Sequence, residues 1–284
     1  MRTIERVSYT LAAVLFASGL FHLVVYAVDG GPWEGPVSWR KPVTFGLSFG
    51  VTLATIAWVA SCVALSSRTR NWVLGAFAAA SVAEVALISL QRWRGVPSHL
   101  NDETVFDAVV ARTLAAGGGV LIITIVWLTV AAFRPNRATA PSMRLAVRVG
   151  LGSLVGALAV GAAMIARGMI LVVAGDRAGA YAQMGGLKPA HAALMHGVTV
   201  LPVLAWLAAR TRWPENLRVR VIALAAAGYL TAAGAVVAGT VAGALTAPPV
   251  LVVAALGLVA LGAAGALTVA GVVRERVPAG IGVR

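Results

Sequence analysis

Charged side chains are scarce in this sequence. Only 12% of its 284 residues are Asp, Glu, Lys or Arg, whereas 60% are hydrophobic. Because a soluble domain carries about 25% charged residues, this composition excludes an ordinary soluble globular protein. Apolar stretches recur along the whole chain at a length of about 20 residues, which a helix needs to cross the hydrocarbon core of a bilayer. The sequence therefore predicts an integral membrane protein with little soluble mass.

Cysteine and lysine are almost absent. Cys62 is the single cysteine, which excludes an intrachain disulfide and a cysteine-based metal site. Lys41 and Lys188 are the two lysines, so the net charge of +13 comes from arginine. A strongly basic chain is typical of nucleic-acid binding, but the positions of the arginines favour another explanation.

Eight apolar stretches are long enough to be transmembrane helices. They predict an all-α, polytopic transmembrane bundle that forms a single integral membrane domain over residues 1–284. An even number of spans places both termini on the same side of the membrane. The predicted spans are residues 7–28, 42–65, 72–91, 105–132, 145–174, 189–209, 219–244 and 248–273.

Basic residues are distributed unequally between the two sides. Cytoplasmic loops of membrane proteins are enriched in Lys and Arg, so the bias predicts a bacterial plasma-membrane protein with both termini in the cytoplasm. It also accounts for most of the net charge without nucleic acid. The fifteen basic residues on the side of the termini are Arg2, Arg6, Arg68, Arg70, Arg134, Arg137, Arg144, Arg148, Arg210, Arg212, Arg218, Arg220, Arg274, Arg276 and Arg284, and the six on the opposite side are Arg40, Lys41, Arg92, Arg94, Arg177 and Lys188.

The first span has an alternative interpretation. Arg2 and Arg6, an apolar core and the following Val25, Tyr26 and Ala27 also fit a secretory signal peptide with its cleavage site. The apolar stretch is long for a signal peptide and carries a polar stripe, which favours a retained span.

Five ionisable residues lie inside the predicted spans at a common depth. Each is six or seven residues from the outer end of its span, which is about 10 Å deep at the helical rise of 1.5 Å per residue. Ionisable residues inside a membrane normally face the bundle interior or a wet cavity. We therefore expect a polar, net-positive ligand-binding site in the outer half of the bilayer. Its residues are His22, Glu84, Arg112, Arg167 and His196, with His191 beside the last of them.

Several interpretations of these ionisable residues at a common depth stay open. Glu84 with Arg112 or Arg167 fits a structural ion pair, but two arginines against one carboxylate leave positive charge that favours a small anionic ligand, bound or transported. The zinc spacings HxxxH and HExxH are absent, so a metal would need His22 or His99 as a further ligand. Histidines from different helices would also suit haem iron, with arginines holding the propionates.

The alternative functions are therefore a membrane redox protein that binds haem or quinone, and a structural or assembly protein without a ligand. No nucleotide-binding loop and no nucleophile arrangement is recognisable, so no enzyme activity is predicted.

Two outer loops, DGGPWEGPVSWRKP (29–42) and QRWRGVPSHLNDET (91–104), are rich in Gly, Pro, Trp and basic residues. This composition indicates structured turns. Their basic residues either anchor the loops at the interface or attract an anion or a lipid headgroup to the outer mouth of the site. The residues that we place there are Arg40, Lys41, Arg92, Arg94, His99 and Lys188; His99 also fits a solvated loop residue.

A short pattern recurs in the two halves of the chain. Its first copy is Asp29, Lys41 and Pro42, and its second copy, at a fixed offset, is Asp176, Lys188 and Pro189. Such a recurrence favours a 4+4 parallel repeat. In each half, Lys-Pro would then start the second helix, because proline fits the first helical turn.

The loops SWRKP and RGVPSHLN resemble those of a family of uncharacterised bacterial multi-pass membrane proteins, and the resemblance implies a helical membrane bundle. The eight-span, four-plus-four layout with several histidines also resembles haem A synthase in architecture. That family carries its histidine ligands on corresponding helices of both halves, and it has an acidic outer loop with cysteines. Here His191 and His196 share one helix and Cys62 lies on the second span, so no site residue is carried over.

The stretch GGLKPAHAALMHG (185–197) places three ionisable residues at the start of the sixth span. We expect His196 to face the polar site, because it lies about 10 Å inside the span. Lys188 precedes the span, and its long stem reaches the headgroups. His191 lies on a different helix face nearer the surface, so it ranks below His196 as a ligand-binding residue.

Overall fold

The computed structural model describes residues 2–276, and within them the chain forms helices and no strand. The expected all-α fold is therefore confirmed. In the same residues, eight helical segments are long and apolar enough to cross a membrane, with α7 and α8 counted as one. The helices are α1 (Thr3–Asp29), α2 (Arg40–Ser61), α3 (Ser67–Trp93), α4 (Val105–Ala132), α5 (Pro141–Val173), α6 (Arg177–Gly186), α7 (Lys188–Met195), α8 (Gly197–Ala208), α9 (Glu215–Val241) and α10 (Pro248–Arg276).

Three features of the helices differ from the predicted spans. The second span ends at Ser61 rather than at residue 65, because Ser66 already caps α3 by accepting a hydrogen bond from the amide of Thr69 at 3.1 Å. The sixth span, predicted as continuous over 189–209, is interrupted at His196. The short helix α6 was not predicted, since its ten residues are too few and too polar for a span.

The chain divides into two compact units. The first consists of Met1–Ala131 and Ala162–Gly185, and the second of Ala132–Gly161 and Gly186–Arg284. Lys-Pro lies in the first turn of both α2 and α7, as expected. The 4+4 repeat itself stays a prediction.

In the first unit, α1 and α2 pack backbone against backbone. The buried residues of α1 recur every three or four positions and so form one helix face. A methyl group built on Gly46 would lie 2.6 Å from the Cα atom of Gly19, and one on Gly50 would lie 2.7 Å from the Cβ atom of Phe16. Gly46 and Gly50 form a GxxxG motif, whose small residues allow two helices to approach this closely.

In the second unit, α8 and α9 build an apolar core. Leu201 and Ile222 have no exposed surface, and Tyr229 lies in the same cluster. Farther along α9, Gly228 faces Gly257 of α10, where a methyl group on either glycine would lie 2.6 Å from the carbonyl oxygen of the other. Close glycine crossings therefore organise both units.

Candidate functional site

His22 of α1 is buried against two tryptophans. Its Nδ1 lies 2.7 Å from the carbonyl oxygen of Ser18, which can only accept, so Nδ1 carries the proton and Nε2 accepts from the indole N–H of Trp93 at 3.1 Å. Trp93 packs edge-on against Trp39 with ring centroids 5.2 Å apart, and the guanidinium of Arg92 lies 3.9 Å from the centroid of the Trp39 ring. Both ring nitrogens of His22 form hydrogen bonds, so binding of iron at Nε2 would break the hydrogen bond from Trp93.

A second buried polar network joins α3 to α4 through Asp107. Gln91 donates to Asp107 Oδ1 at 2.9 Å, and the hydroxyl of Thr104 donates to Oδ2 at 2.6 Å. Arg94 forms an ion pair with the same carboxylate. Since Asp107 is 2% exposed and Gln91 is fully buried, these bonds hold the intervening loop in one conformation.

The basic residues expected at the outer mouth lie at the loop end of the first unit, which we define as the end that carries residues 30–39 and 94–104. Arg40 forms an ion pair with Glu34 at 3.2 Å, and the ammonium of Lys41 donates to the carbonyl of Pro36 at 2.8 Å. Together with the stacked Arg92 and the paired Arg94, they hold the loops in place. Lys188 is exposed at the start of α7, in the second unit.

His99 is held in the loop between α3 and α4. Its Nδ1 lies 3.0 Å from the hydroxyl oxygen of Ser98, and its carbonyl accepts a hydrogen bond from the phenol of Tyr181 on α6 at 3.1 Å. Burial, and then the positive charge of Lys41, lower the pKa of His99 to about 4. The imidazole is therefore neutral at pH 7, and the role of His99 at the outer mouth stays a prediction.

Glu84, Arg112 and Arg167 of the first unit do not pair with one another. Glu84 of α3 is 5% exposed, and its Oε1 would lie 3.1 Å from a methyl group built on Gly117 of α4. Arg112 and Arg167 are exposed. Neither arginine forms an ion pair with Glu84 or with another acidic side chain of the described part of the chain. The structural ion pair considered from the sequence is not formed there.

The sixth span is interrupted at His196. Helix α7 ends at Met195 and α8 begins at Gly197, so the amides of Gly197 and Val198 lose the partners four residues earlier that a continuous helix provides. Pro202, inside α8, has no amide and leaves the carbonyl of Val198 without its helical donor. The interruption frees backbone groups on both of its sides.

Two hydroxyl groups donate hydrogen bonds to the carbonyls of Ala193 and Leu194, just before the interruption. The phenol of Tyr229 on α9 donates to the carbonyl of Ala193, and the hydroxyl of Ser153 on α5 donates to the carbonyl of Leu194 at 2.6 Å. Insertion of a side chain into the hydrogen-bond ladder is a recognised cause of sharp helix bends. Two helices of the second unit, α5 and α9, therefore supply donors to the two carbonyls that precede the interruption.

The two histidines of the sixth span have different surroundings. His191 is half-buried, and its Nδ1 donates to the carbonyl of Ala157 at 2.7 Å. His196 is exposed at the interruption. Both belong to the second unit, whereas His22, Glu84, Arg112 and Arg167 belong to the first. The expected grouping of all six around one cavity stays a prediction.

Sequence reasoning missed Asp107, Tyr229 and Ser153. The signal for Asp107 was present, because Thr104 three residues earlier completes the capping pattern of a helix start. For Tyr229, the signal was a single phenol in a span otherwise rich in Ala, Val, Leu and Gly, since a buried tyrosine usually finds a hydrogen-bond partner. Nothing in the sequence distinguished Ser153 from the other serines in spans.

Comparison of the chain with protein-family models, with curated proteins and with solved structures finds no match. An assignment of function therefore depends on the geometry of the residues themselves.

Proposed function

We propose that this chain is a multi-pass protein of a bacterial plasma membrane that binds or transports a small anionic ligand in the outer half of the bilayer. Both termini lie in the cytoplasm, and the loop end of the first unit faces outward. Arg112 and Arg167 are the residues to which we assign the anion. The observation that carries the proposal is that neither arginine has an acidic partner in the described residues, although both lie in apolar spans.

Other arginines of the first unit do have such partners. The paired arginines are Arg2 and Arg70 with Glu5, Arg40 with Glu34, Arg94 with Asp107 and Arg177 with Asp102. Three acids near the loop end, Glu34, Asp102 and Asp107, are thus engaged, and Glu84 forms no ion pair. A cationic group in this position needs a counter-charge from outside the chain.

The depth of the two arginines supports the same proposal. Arg112 lies seven residues after the start of α4, and Arg167 lies six residues before the end of α5, which places each about 10 Å from a helix end at 1.5 Å per residue. Guanidinium groups bind carboxylate and phosphate oxygens with paired hydrogen bonds. A lipid phosphate and a soluble oxyanion offer the same chemistry, so the experiment must separate these two sources.

Anion binding is measured with protein purified in a neutral detergent. We add inorganic phosphate, acetate or phosphatidylglycerol, and follow the thermal unfolding temperature together with binding by calorimetry. Arg112→Gln and Arg167→Gln are compared with Arg134→Gln, which removes the same charge from an exposed position in the turn after α4. We expect either substitution in a span to weaken binding about tenfold or more, the worth of a lost charge-assisted hydrogen bond, and Arg134→Gln to leave it unchanged.

Each outcome of this experiment has a definite meaning. Stabilisation by phosphate or acetate identifies a soluble anion, and stabilisation by phosphatidylglycerol alone identifies a lipid headgroup. If no probe binds, or if the three variants bind equally, the assignment to Arg112 and Arg167 is wrong.

The proposed orientation is tested by cysteine labelling in a Cys62→Ser background. Glu103 and Ala138 are exposed in turns at opposite ends of α4. An impermeant thiol reagent added to intact cells should label Glu103→Cys and not Ala138→Cys. The reverse pattern would place the termini outside.

A haem-binding redox protein is the second candidate, and one observation favours it. The Nδ1 of His191 is fixed by the carbonyl of Ala157, while its Nε2 makes no hydrogen bond to the described residues. Histidines that ligate metals commonly donate their other ring N–H to a carbonyl in this way. A Soret band in the purified protein that is lost in His191→Ala and kept in His99→Ala would support this candidate; a colourless protein contradicts it.

A further inference from the structure

The carboxyl group of Glu84 occupies a confined position inside the first unit. The side chain lies in the interior of α3, nine residues before its end at Trp93, or about 14 Å along the helix axis. It is directed at Gly117 of α4, where a methyl group would come within 3.1 Å of its Oε1. The missing side chain of Gly117 thus provides the space in which the carboxyl lies.

Glu84 differs from the other buried acids of the same unit. Glu5 accepts a hydrogen bond from the amide of Arg2 at 2.9 Å and lies 3.3 Å from the guanidinium of Arg70. Asp107 is held by the network described above. Glu84 makes no hydrogen bond and no ion pair with the described residues. An ionised carboxylate so placed would carry a large desolvation cost with nothing to offset it.

The ionisable groups on the neighbouring helices do not supply a partner. On α4, Arg112 lies five residues from Gly117 and is exposed. On α3 itself, Arg92 is eight residues away and stacks on Trp39. The ionisable residues on α1 are Glu5, Arg6, Tyr9, His22, Tyr26 and Asp29; those on α2 are Arg40 and Lys41; those remaining on α3 and α4 are Arg68, Arg70 and Asp107.

A metal cation does not fit this position. Hard cations take about six or more oxygen ligands, and no three His, Cys, Asp or Glu side chains gather anywhere in the described residues. A proton, in contrast, binds to a single carboxylate oxygen, which Glu84 provides.

We propose that Glu84 is a proton-binding site inside the bilayer, with H⁺ as its ligand. The carboxyl is neutral when the proton is bound, which suits its apolar surroundings, and it becomes charged only when the proton leaves. The proposal concerns the carboxyl group of Glu84 alone, and its test does not depend on anion binding.

The test uses dicyclohexylcarbodiimide, an apolar reagent that enters membranes and reacts with protonated carboxyl groups. The carboxyl oxygen adds to the central carbon of the reagent, the carboxyl proton moves to a reagent nitrogen, and the adduct rearranges to an N-acylurea without loss of a fragment. The full-length protein in lipid vesicles is treated at neutral pH, digested and analysed by mass spectrometry. We expect modification at Glu84, and less of it as the pH is raised.

Glu5 and Asp107 are the matched controls within the same molecule. Both are buried carboxylates with bound partners, so both should stay unmodified. If Glu84 stays unmodified, or is modified no more than these two, it is not a protonated carboxyl and the proposal fails.

A second measurement uses Glu84→Gln. A neutral amide replaces a neutral carboxyl at nearly the same volume, so we expect the thermal unfolding temperature at neutral pH to stay close to that of the parent protein. A large drop in that temperature, or loss of folded protein, would show that Glu84 is ionised and paired, and would overturn the proposal.

Discussion

The phenol of Tyr229 donates its hydrogen bond to the carbonyl of Ala193, which in a continuous helix would accept from the amide of Gly197. The hydroxyl thus takes the place of a backbone amide as the donor to this carbonyl. The interruption of the sixth span is therefore part of the packing of the second unit.

Removal of this hydroxyl should destabilise the second unit. We expect Tyr229→Phe to lower the free energy of unfolding by about 1 kcal/mol, the net worth of an average hydrogen bond, because the carbonyl of Ala193 loses its donor. Thermal unfolding in detergent micelles measures the change. Tyr26→Phe is the control, since the phenol of Tyr26 makes no hydrogen bond to the described residues. Equal effects of the two substitutions would show that the Tyr229 hydroxyl contributes nothing.

Two glycines on one helix should respond in opposite ways to substitution by alanine. A methyl group on Gly150 would lie 2.8 Å from the carbonyl oxygen of Gly197, whereas one on Gly152 meets no atom within 4 Å. We expect Gly150→Ala to cost about 1–3 kcal/mol through overpacking. Gly152→Ala should be neutral or stabilising by up to about 1 kcal/mol, from helix propensity. If both variants unfold at the same temperature, the close approach of α5 and α8 is not present.

The buried network around Asp107 predicts a difference between two acid-to-amide substitutions. Asp107→Asn removes the charge that Arg94, Gln91 and Thr104 share, and we expect a loss of about 1.5–3 kcal/mol in unfolding free energy, as for hydrogen bonds to a charged group. Glu34→Gln removes a carboxylate whose side chain is 69% exposed, so its ion pair is worth about 0–1 kcal/mol. Chemical denaturation compares the two; a larger loss for Glu34→Gln would contradict the network.

His99 predicts a pH dependence of stability. Burial and the charge of Lys41 lower its pKa from 6.5 to about 4, so the unfolded chain binds the proton more readily than the folded protein. The stabilisation is fully present above pH 6.5 and is lost as the pH falls toward 4, by about 1.4 kcal/mol for each pH unit. Unfolding temperatures measured across this window for the parent protein and for His99→Gln isolate the effect. Identical slopes for the two proteins would refute it.

The spans were predictable because hydropathy is read from many residues at once. The predicted and observed starts of the fourth and eighth spans coincide at residues 105 and 248. The interruption at His196 was not predictable, because it depends on Tyr229 and Ser153, which are distant in the chain and reach the sixth span only in the folded unit. Pro202 was a local signal, but a proline in a span more often bends a helix than divides it.

The site was predicted less completely than the fold. Depth along a span follows from counting residues, and it stays a prediction; His22 and Glu84 are buried within the described residues. The direction of a side chain around the helix axis depends on which helices are neighbours, and a single sequence does not give that. Arg112 is an example, because counting residues predicted its depth but not that its side chain is exposed.

The glycine contact between α1 and α2 has a consequence for biosynthesis. These helices are consecutive, with only residues 30–39 between them, and the approach of Gly46 to Gly19 requires no group from later parts of the chain. Helices that already span the bilayer associate through such contacts, and chains begin to fold while they are still being synthesised. The pair can therefore assemble as soon as α2 leaves the translocon, and Trp39 at its end then offers Trp93 of the newly made α3 a surface on which to dock.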